Sequence, residues 1–362
     1  MPTTSDRDAV AILIDKKAWR GWDDLEIHLG LDSHPSVGFA SPFDYERKDF
    51  RDTFRPFSFK PLDLTVGGEP IFTGTLVDVL PRVDPDARTV AVSGYSLPAQ
   101  LEDVNLPAGK VPFEASGLSL RQIAQTLAGI WNIRVVMEGN EGPAFKRVKT
   151  RSKKIDTKVE SDQKIGDFLI ELAKQRGYVI TSTVRGELLF WKSVVPGHPV
   201  ARLIEGQPPL ISAIPTFNPQ DYYSEITGYT SVKRGSGGSK FTQRNERLAG
   251  GVLRSMSFKL DDIEKGDAPS AVKAKMGRMF GNCVSYVVNL PTWRDPKEAL
   301  WAPNTTITLK APSAMIYSET ELLVRDVFLK RSHDETTASL GLVLPGSFSG
   351  EIPARMPWEE PL

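Results

Sequence analysis

The spacing of hydrophobic residues along this chain changes period twice. Over residues 57–93 it alternates. Leu62, Leu64 and Val66 share one face, Ile71 to Val79 forms a return strand, and Gly67-Gly68 between them supplies the positive-φ residues of a tight hairpin turn. Residues 9–14 (AVAILI) and 24–31 predict two further strands, and 33–56 reads as a long irregular loop. Six or seven strands in roughly 100 residues predict a small antiparallel barrel or sandwich.

After Pro112 the spacing becomes helical. Leu120, Ile123, Ala124, Leu127 and Ile130 fall on one helix face, with Ser119 placed as N-cap. Ile165, Phe168, Leu169 and Leu172 repeat that spacing, and Gly177 marks the stop. A strand at 133–137 and a hairpin around Arg185-Gly186 complete a small α+β unit. Pro196 to Pro209 reads as a linker, and β-type runs then resume from Ile211. They are interrupted by the glycine loop 235–239 and by a helix over Ala268–Cys283, with Pro269 near its start.

One hairpin occurs twice. Residues 76–93 (LVDVLPRVDPDARTVAVS) and 324–341 (VRDVFLKRSHDETTASLG) align at a constant offset, matching Asp78-Val79 with Asp326-Val327, Asp86 with Asp334, and Thr89 with Thr337. The fold expected is mixed β and α+β: two similar small antiparallel β-barrels, an α+β domain between them, and a helix-containing insertion in the second barrel. The boundaries expected are 1–112 for the first barrel, 113–195 for the α+β domain, 196–255 plus 300–348 for the second barrel, 256–299 for the insertion and 349–362 for an extended tail.

Composition narrows the function classes. The 362 residues are 40% hydrophobic and 25% charged, an ordinary globular balance, and 45 basic residues offset 45 acidic ones. Any nucleic-acid or membrane affinity therefore needs a local patch. The N-terminus shows no basic segment leading into an apolar core, so no signal peptide is expected, and no run approaches the ~18 apolar residues of a membrane span. Cys283 is the only cysteine, which excludes an intrachain disulfide and reads as a packed thiol.

Candidate chemistry is sparse. His28, His34, His198 and His333 show no metal-ligand spacing, so no metal or cofactor is expected. There is no Gly-x-Ser-x-Gly elbow, P-loop or dinucleotide fingerprint, and no catalytic residue is assigned. Carboxylate pairs such as Asp23-Asp24 and Asp261-Asp262 leave a hydrolase open. The densest charge run contains Lys146, Arg147, Lys149, Arg151, Lys153, Lys154 and Lys158. It is either a solvated loop or a face for phosphate or an acidic partner, and a second basic stretch spans Lys233 to Arg254. Trp293, Arg294, Trp301 and Pro303 form a cluster that packs a domain junction or anchors a subunit interface.

The order of these segments resembles the baseplate hub proteins of contractile phage tails, especially the Mu-like type, which are related in architecture to the hub half of type VI secretion spike proteins. Four stretches carry the resemblance: LDLTVGGEPIFTGTLVDVL at 62–80, GYSLPAQLEDVNLP at 94–107, the helix–strand–helix–hairpin over 119–191, and Trp293-Arg294-Asp295 followed by Leu300 to Thr305 and the hairpin at 321–344. The match to the family's pattern at 94–107 is loose. The resemblance implies a homotrimeric ring with two quasi-equivalent barrels per chain, in which Asp78, Val79, Asp326 and Val327 are equivalent positions. Such a ring joins a six-fold tail tube to a three-fold spike around an axial channel. Implied partners are the spike, the tube or its initiator, the tape measure protein, and DNA in transit. The implied location is the virion, after synthesis in the host cytoplasm, with no membrane insertion. A tail-associated cell-wall hydrolase and a DNA-contacting channel protein acting through the basic loops are the alternatives.

Overall fold

A computed structural model describes residues 7–83, 88–111, 113–115, 117–139, 158–159, 162–230, 239–248, 251–260, 268–333, 335–353 and 355–359. The first part contains β1 (Val10–Ile14), β2 (Lys17–Trp19), β3 (Asp23–Gly30), β4 (Ser36–Pro42), the short helix α1 (Lys48–Thr53), β5 (Pro61–Val66), β6 (Glu69–Val83) and β7 (Arg88–Ser96). Gly67 and Gly68 turn the β5–β6 hairpin at φ 59° and 85°, values that a side chain would strain. Residues 33–56 are more ordered than their composition suggests. β4 buries Val37 and Phe39, while α1 places Phe50 and Phe54 edge-on against Trp19, with ring centroids 5.0 and 4.9 Å away. The glycine, serines and proline of this stretch hide its alternation, and tertiary packing decides it.

The second part holds β8 (Phe113–Glu114), α2 (Leu120–Ala128), β9 (Val135–Met137), β10 (Lys158–Val159), α3 (Ile165–Gln175), β11 (Val179–Ser182) and β12 (Leu188–Trp191). Ser119 caps α2 in a reciprocal box with Gln122. The buried faces of α2 and α3 close a core of their own with β9, β11 and β12.

The third part contains β13 (Ala201–Ile204), β14 (Ser212–Phe217), β15 (Glu225–Thr230), β16 (Lys240–Arg244), β17 (Ser255–Leu260), α4 (Ala268–Cys283), β18 (Val284–Leu290), β19 (Thr306–Ala311), β20 (Ile316–Arg331) and β21 (Thr336–Val343). The excursion between β14 and β18 is a three-stranded sheet, β16-β15-β17, followed by α4. Strand 284–290, expected to leave the barrel with the helix, lies in the main sheet, because it pairs with both β14 and β21. The tail turns back rather than extending away. Met356 is buried, and Trp358 meets Phe217 edge-on at 5.3 Å.

The two β parts are not separate sheets. Thirteen strands form one sheet whose main path is β14-β18-β21-β20-β3-β4-β7-β6-β5-β1-β2, with β19 and β13 branching from β20. Closed barrels were expected, but the pairings among the described residues leave this sheet open. The physical reason is the length of β20, 16 residues. Its first half pairs with β19, and its second half pairs with β21 on one edge and with β3 on the other. One hydrophobic core runs through both β parts.

Within that sheet the same order appears twice. The first part runs β1-β5-β6-β7-β4-β3 and the third runs β13-β19-β20-β21-β18-β14. In chain order, first, fourth, fifth, sixth, third and second strands succeed one another in both, if β2 is set aside. The outermost pair differs: β1 is antiparallel to β5, whereas β13 is parallel to β19.

Candidate functional site

The feature that joins the two halves is the contact of β3 with β20. Residues 326–331 pair antiparallel with 25–30, so that Val327 lies opposite Leu29 and Leu329 opposite Ile27. Those four side chains face the core and are at most 8% exposed. The other face is polar. Lys330 Nζ lies 2.8 Å from Glu26 Oε2, and His28 Nε2 lies 3.0 Å from Asp326 Oδ1. The His28 ring also stacks on Phe328 with centroids 4.5 Å apart. At the end of the junction Arg325 Nε donates to Asp32 Oδ1 at 3.0 Å.

The doubled hairpin has one geometry in both copies. β6 pairs with β7 through a register shift between Leu76 and Asp78, after which Asp78 faces Ser93. β20 pairs with β21 through a shift between Val324 and Asp326, after which Asp326 faces Gly341. Bulges are local kinks fixed by sequence, so the same bulge at aligned positions is a specific correspondence. The side chains after it differ in burial: Val327 is fully buried, while Val79 is partly covered. Asp78 accepts a hydrogen bond from Ser93 Oγ at 2.9 Å, and Asp326 instead meets His28. Asp86 and Asp334 lie outside the described residues.

The tryptophan cluster is internal. Trp293 is 0% exposed and its indole N–H donates to the carbonyls of Lys330 and Thr337, at 3.2 and 2.9 Å, bridging the strands of the β20–β21 hairpin. Trp301 is 2% exposed and donates to the Thr292 carbonyl at 3.0 Å. Arg294 ties in the N-terminal segment through Asp8 Oδ1 at 2.8 Å and the Arg7 carbonyl at 2.7 Å. Pro303 is half-buried in the segment leading into β19. The basic residues Lys146, Arg147, Lys149, Arg151, Lys153 and Lys154 lie outside the described residues, and for Lys158 only the backbone, paired with Glu114, is described.

Three other groupings were not visible in the sequence. An open trough of about 750 Å³ crosses the polar face of β3, β4, β7 and β6, lined by Asp24, Glu26, His28, Asp78, Tyr95 and Asp103 among others. Burial, and then the hydrogen bond to Asp103 at 2.8 Å, pushes the Tyr95 hydroxyl up to about 12. A second cavity, about 540 Å³, lies between α3, α4 and the small sheet. Lys174, Lys275 and Arg278 face Asp32, Glu171 and Asp221 there, so it carries both signs of charge. Burial moves Lys174 and Arg278 down.

The third grouping sits where the first part meets the second. His34 Nδ1 lies 2.8 Å from Ser182 Oγ, which also contacts Ser96 Oγ at 2.7 Å, and His34 Nε2 lies 3.7 Å from Glu102. The residue types are those of a hydrolytic triad, but the arrangement does not suit that chemistry. Ser182 is buried and its hydroxyl is shared with Ser96. Burial pushes His34 down to about 4, outweighing the carboxylate, which leaves it a weak base. The group binds the two parts together instead. Native His34 resists protonation, so stability is full above its unfolded value of 6.5 and falls as pH drops through the window between 6.5 and about 4. The expected loss across that window is ~3 kcal/mol. Urea unfolding at stepped pH checks this, and His34→Gln should flatten the slope between those limits.

Cys283 is buried, and burial pushes its thiol up to about 11, which makes it unreactive. Among the described residues no cluster of three or more His, Cys, Asp or Glu side chains is arranged to hold a metal ion. Among the described residues no helix is long and apolar enough to cross a membrane.

With this geometry the chain superposes on solved structures over nearly its whole length. The 43 kDa tail protein of prophage MuSo2 from Shewanella oneidensis matches 94% of this chain and 99% of its own at a TM-score of 0.77, with 20% identity. The chain has the fold of a prophage tail protein. A tail protein from Neisseria meningitidis MC58 matches 94% of this chain and 98% of its own, also at 0.77, with 16% identity. The E. coli c3393 protein is described as a component of the type VI secretion system similar in structure to the bacteriophage T4 tail proteins gp27 and gp5. It matches 95% of this chain and 79% of its own at 0.56, with 9% identity. No family model and no curated protein sequence matches the chain. The shared fold covers all three parts, so the α+β unit and the excursion belong to the tail-protein fold.

Proposed function

We propose that this chain is a structural hub of a contractile phage tail, acting without catalysis. The observation that carries the reading is the doubled strand order with the same bulge in both copies. A chain whose sheet has two halves of the same strand order solves a symmetry mismatch, because three copies present six similar surfaces to a six-fold tube while keeping three-fold symmetry for a spike. In this reading each half of the sheet is one unit of the ring, Asp78-Val79 and Asp326-Val327 are quasi-equivalent, and the Trp293, Arg294, Trp301 and Pro303 cluster sets the angle between halves. The ring encloses the axial channel through which tape measure protein and then DNA pass. The partners are other copies of this chain, the spike, and the tube or its initiator, and the location is the tail baseplate of the virion.

The likeness to prophage tail proteins over 94% of the chain supports this reading. The basic residues 146–158 contact passing DNA or an acidic partner in this scheme, while the carboxylates of the β3–β6 trough give phosphate no foothold. The test is the mass in solution, alone and with spike and tube proteins added. The expected species contains three chains of 40.0 kDa. A chain that stays monomeric in every mixture contradicts the proposal.

A further inference from the structure

The internal junction also indicates how copies of the chain meet, given the hub reading. Among the described residues, each chain has two unpaired sheet edges in the positions that β20 and β3 occupy at that junction. The 78–83 half of β6 corresponds to the 326–331 half of β20, since both follow the same bulge. β14 corresponds to β3, since each is the neighbour of the strand paired with the hairpin's second arm. Among the described residues, β14 is hydrogen-bonded on one side only, to β18, and residues 78–83 of β6 are bonded only to β7.

We propose that β6 of one copy meets β14 of the next, antiparallel and in the register of the internal junction. Carrying the observed pairings across places Val79 opposite Phe217, Leu80 opposite Thr216, and Pro81 opposite Pro215. The side chains fit this occupant. Leu80 is 64% exposed and Phe217 40%, although both are large and apolar. On the face of Leu80, Ile214 and its cross-strand partner Val287 are 54% and 39% exposed, while Phe217 shares the core face with Val79. On the core face, the internal junction covers Val327 and Leu329 completely, while their counterparts at the free edge are a half-open Val79 and an exposed Pro81.

The two prolines set the character of the contact. The Leu31 N–H donates to the Arg325 carbonyl at 2.8 Å, so by alternation the backbone groups of Leu329 and Ile27 face each other. The same alternation, fixed by Phe43 N–H to the Arg88 carbonyl at 3.0 Å and Asn218 N–H to the Cys283 carbonyl at 2.9 Å, turns Pro81 and Pro215 outward. Neither has an N–H to donate, and the facing rings hold the strands apart. The junction between copies is therefore held by side chains at its centre, without the continuous ladder seen inside the chain. The prolines also stop either edge from recruiting a stray strand before assembly.

The experiment has two arms. In the first, Leu80→Cys with Thr216→Cys is treated with a short thiol-to-thiol crosslinker. A covalent three-chain species, absent from each single variant, is expected. Crosslinked chains that grow without closing still support the edge contact but overturn the trimeric reading. A three-chain mass without crosslinking leaves the trimer standing and overturns the edge assignment. A monomer without crosslinking overturns both. In the second, Pro81→Leu with Pro215→Ile restores the missing donors and should tighten self-association by about tenfold or more. Unchanged or weaker association overturns the register.

Discussion

Trp293→Ala is expected to lower the stability of the β core by about 3–5 kcal/mol, the largest effect of any single truncation in this chain. The side chain is wholly buried, and no adjoining solvent can fill the space it leaves. Its indole N–H serves two carbonyls on opposite strands of the β20–β21 hairpin, so truncation also removes a donor that ties the two strands together in addition to their own ladder. The Arg331 guanidinium, 5.9 Å from the ring centroid, loses its partner face as well. Trp293→Phe refills much of the volume but not the donor, and should recover more than half of the loss. Chemical unfolding followed by tryptophan fluorescence measures both variants. A loss below about 1 kcal/mol for the alanine variant contradicts the account of this cluster as an internal strut.

The second large effect separates two positions that the repeat makes equivalent. Leu329→Asp places a charge between β20 and β3, where Leu329 is 0% exposed and lies opposite Ile27. Nothing on that core face can pair with it, and such a buried charge costs several kcal/mol. The two halves should part, with early loss of the common transition. Pro81→Asp makes the same kind of change at the aligned position of the first copy, which is exposed on a free edge. It should leave the stability of the isolated chain within about 1 kcal/mol of the parent. Circular dichroism melts of both variants give the comparison. Equal losses would mean that the two positions are not distinguished by the junction.

Much of this organisation was legible in the sequence because it rests on local periodicity. The alternation at 62–66, the glycines at 67–68, the Ser119 cap and the helical spacing at 165–172 each report a neighbourhood of a few residues. The doubled hairpin was legible for the same reason: the aligned Asp-Val pairs sit just after the bulge in both copies. The continuity of the sheet was not. Nothing local distinguishes a β20 that ends its own barrel from one that also takes β3 on its other edge, because that pairing joins residues about 300 apart. The β4 strand was lost among glycine, serine and proline, and α1 is held by Trp19 from another strand. The site was less legible still. Trp293 and Arg294 attracted notice by type, whereas Glu26, His28 and Lys330 acquire meaning only once β3 and β20 are side by side.

The most direct test of the central claim is an electron cryomicroscopy reconstruction of the assembled species, computed without imposed symmetry. The account predicts a ring of three chains in which six similar half-sheets surround a channel, with β6 of each chain beside β14 of its neighbour. A ring with another number of chains, or a trimer whose two halves occupy unrelated environments, would contradict it.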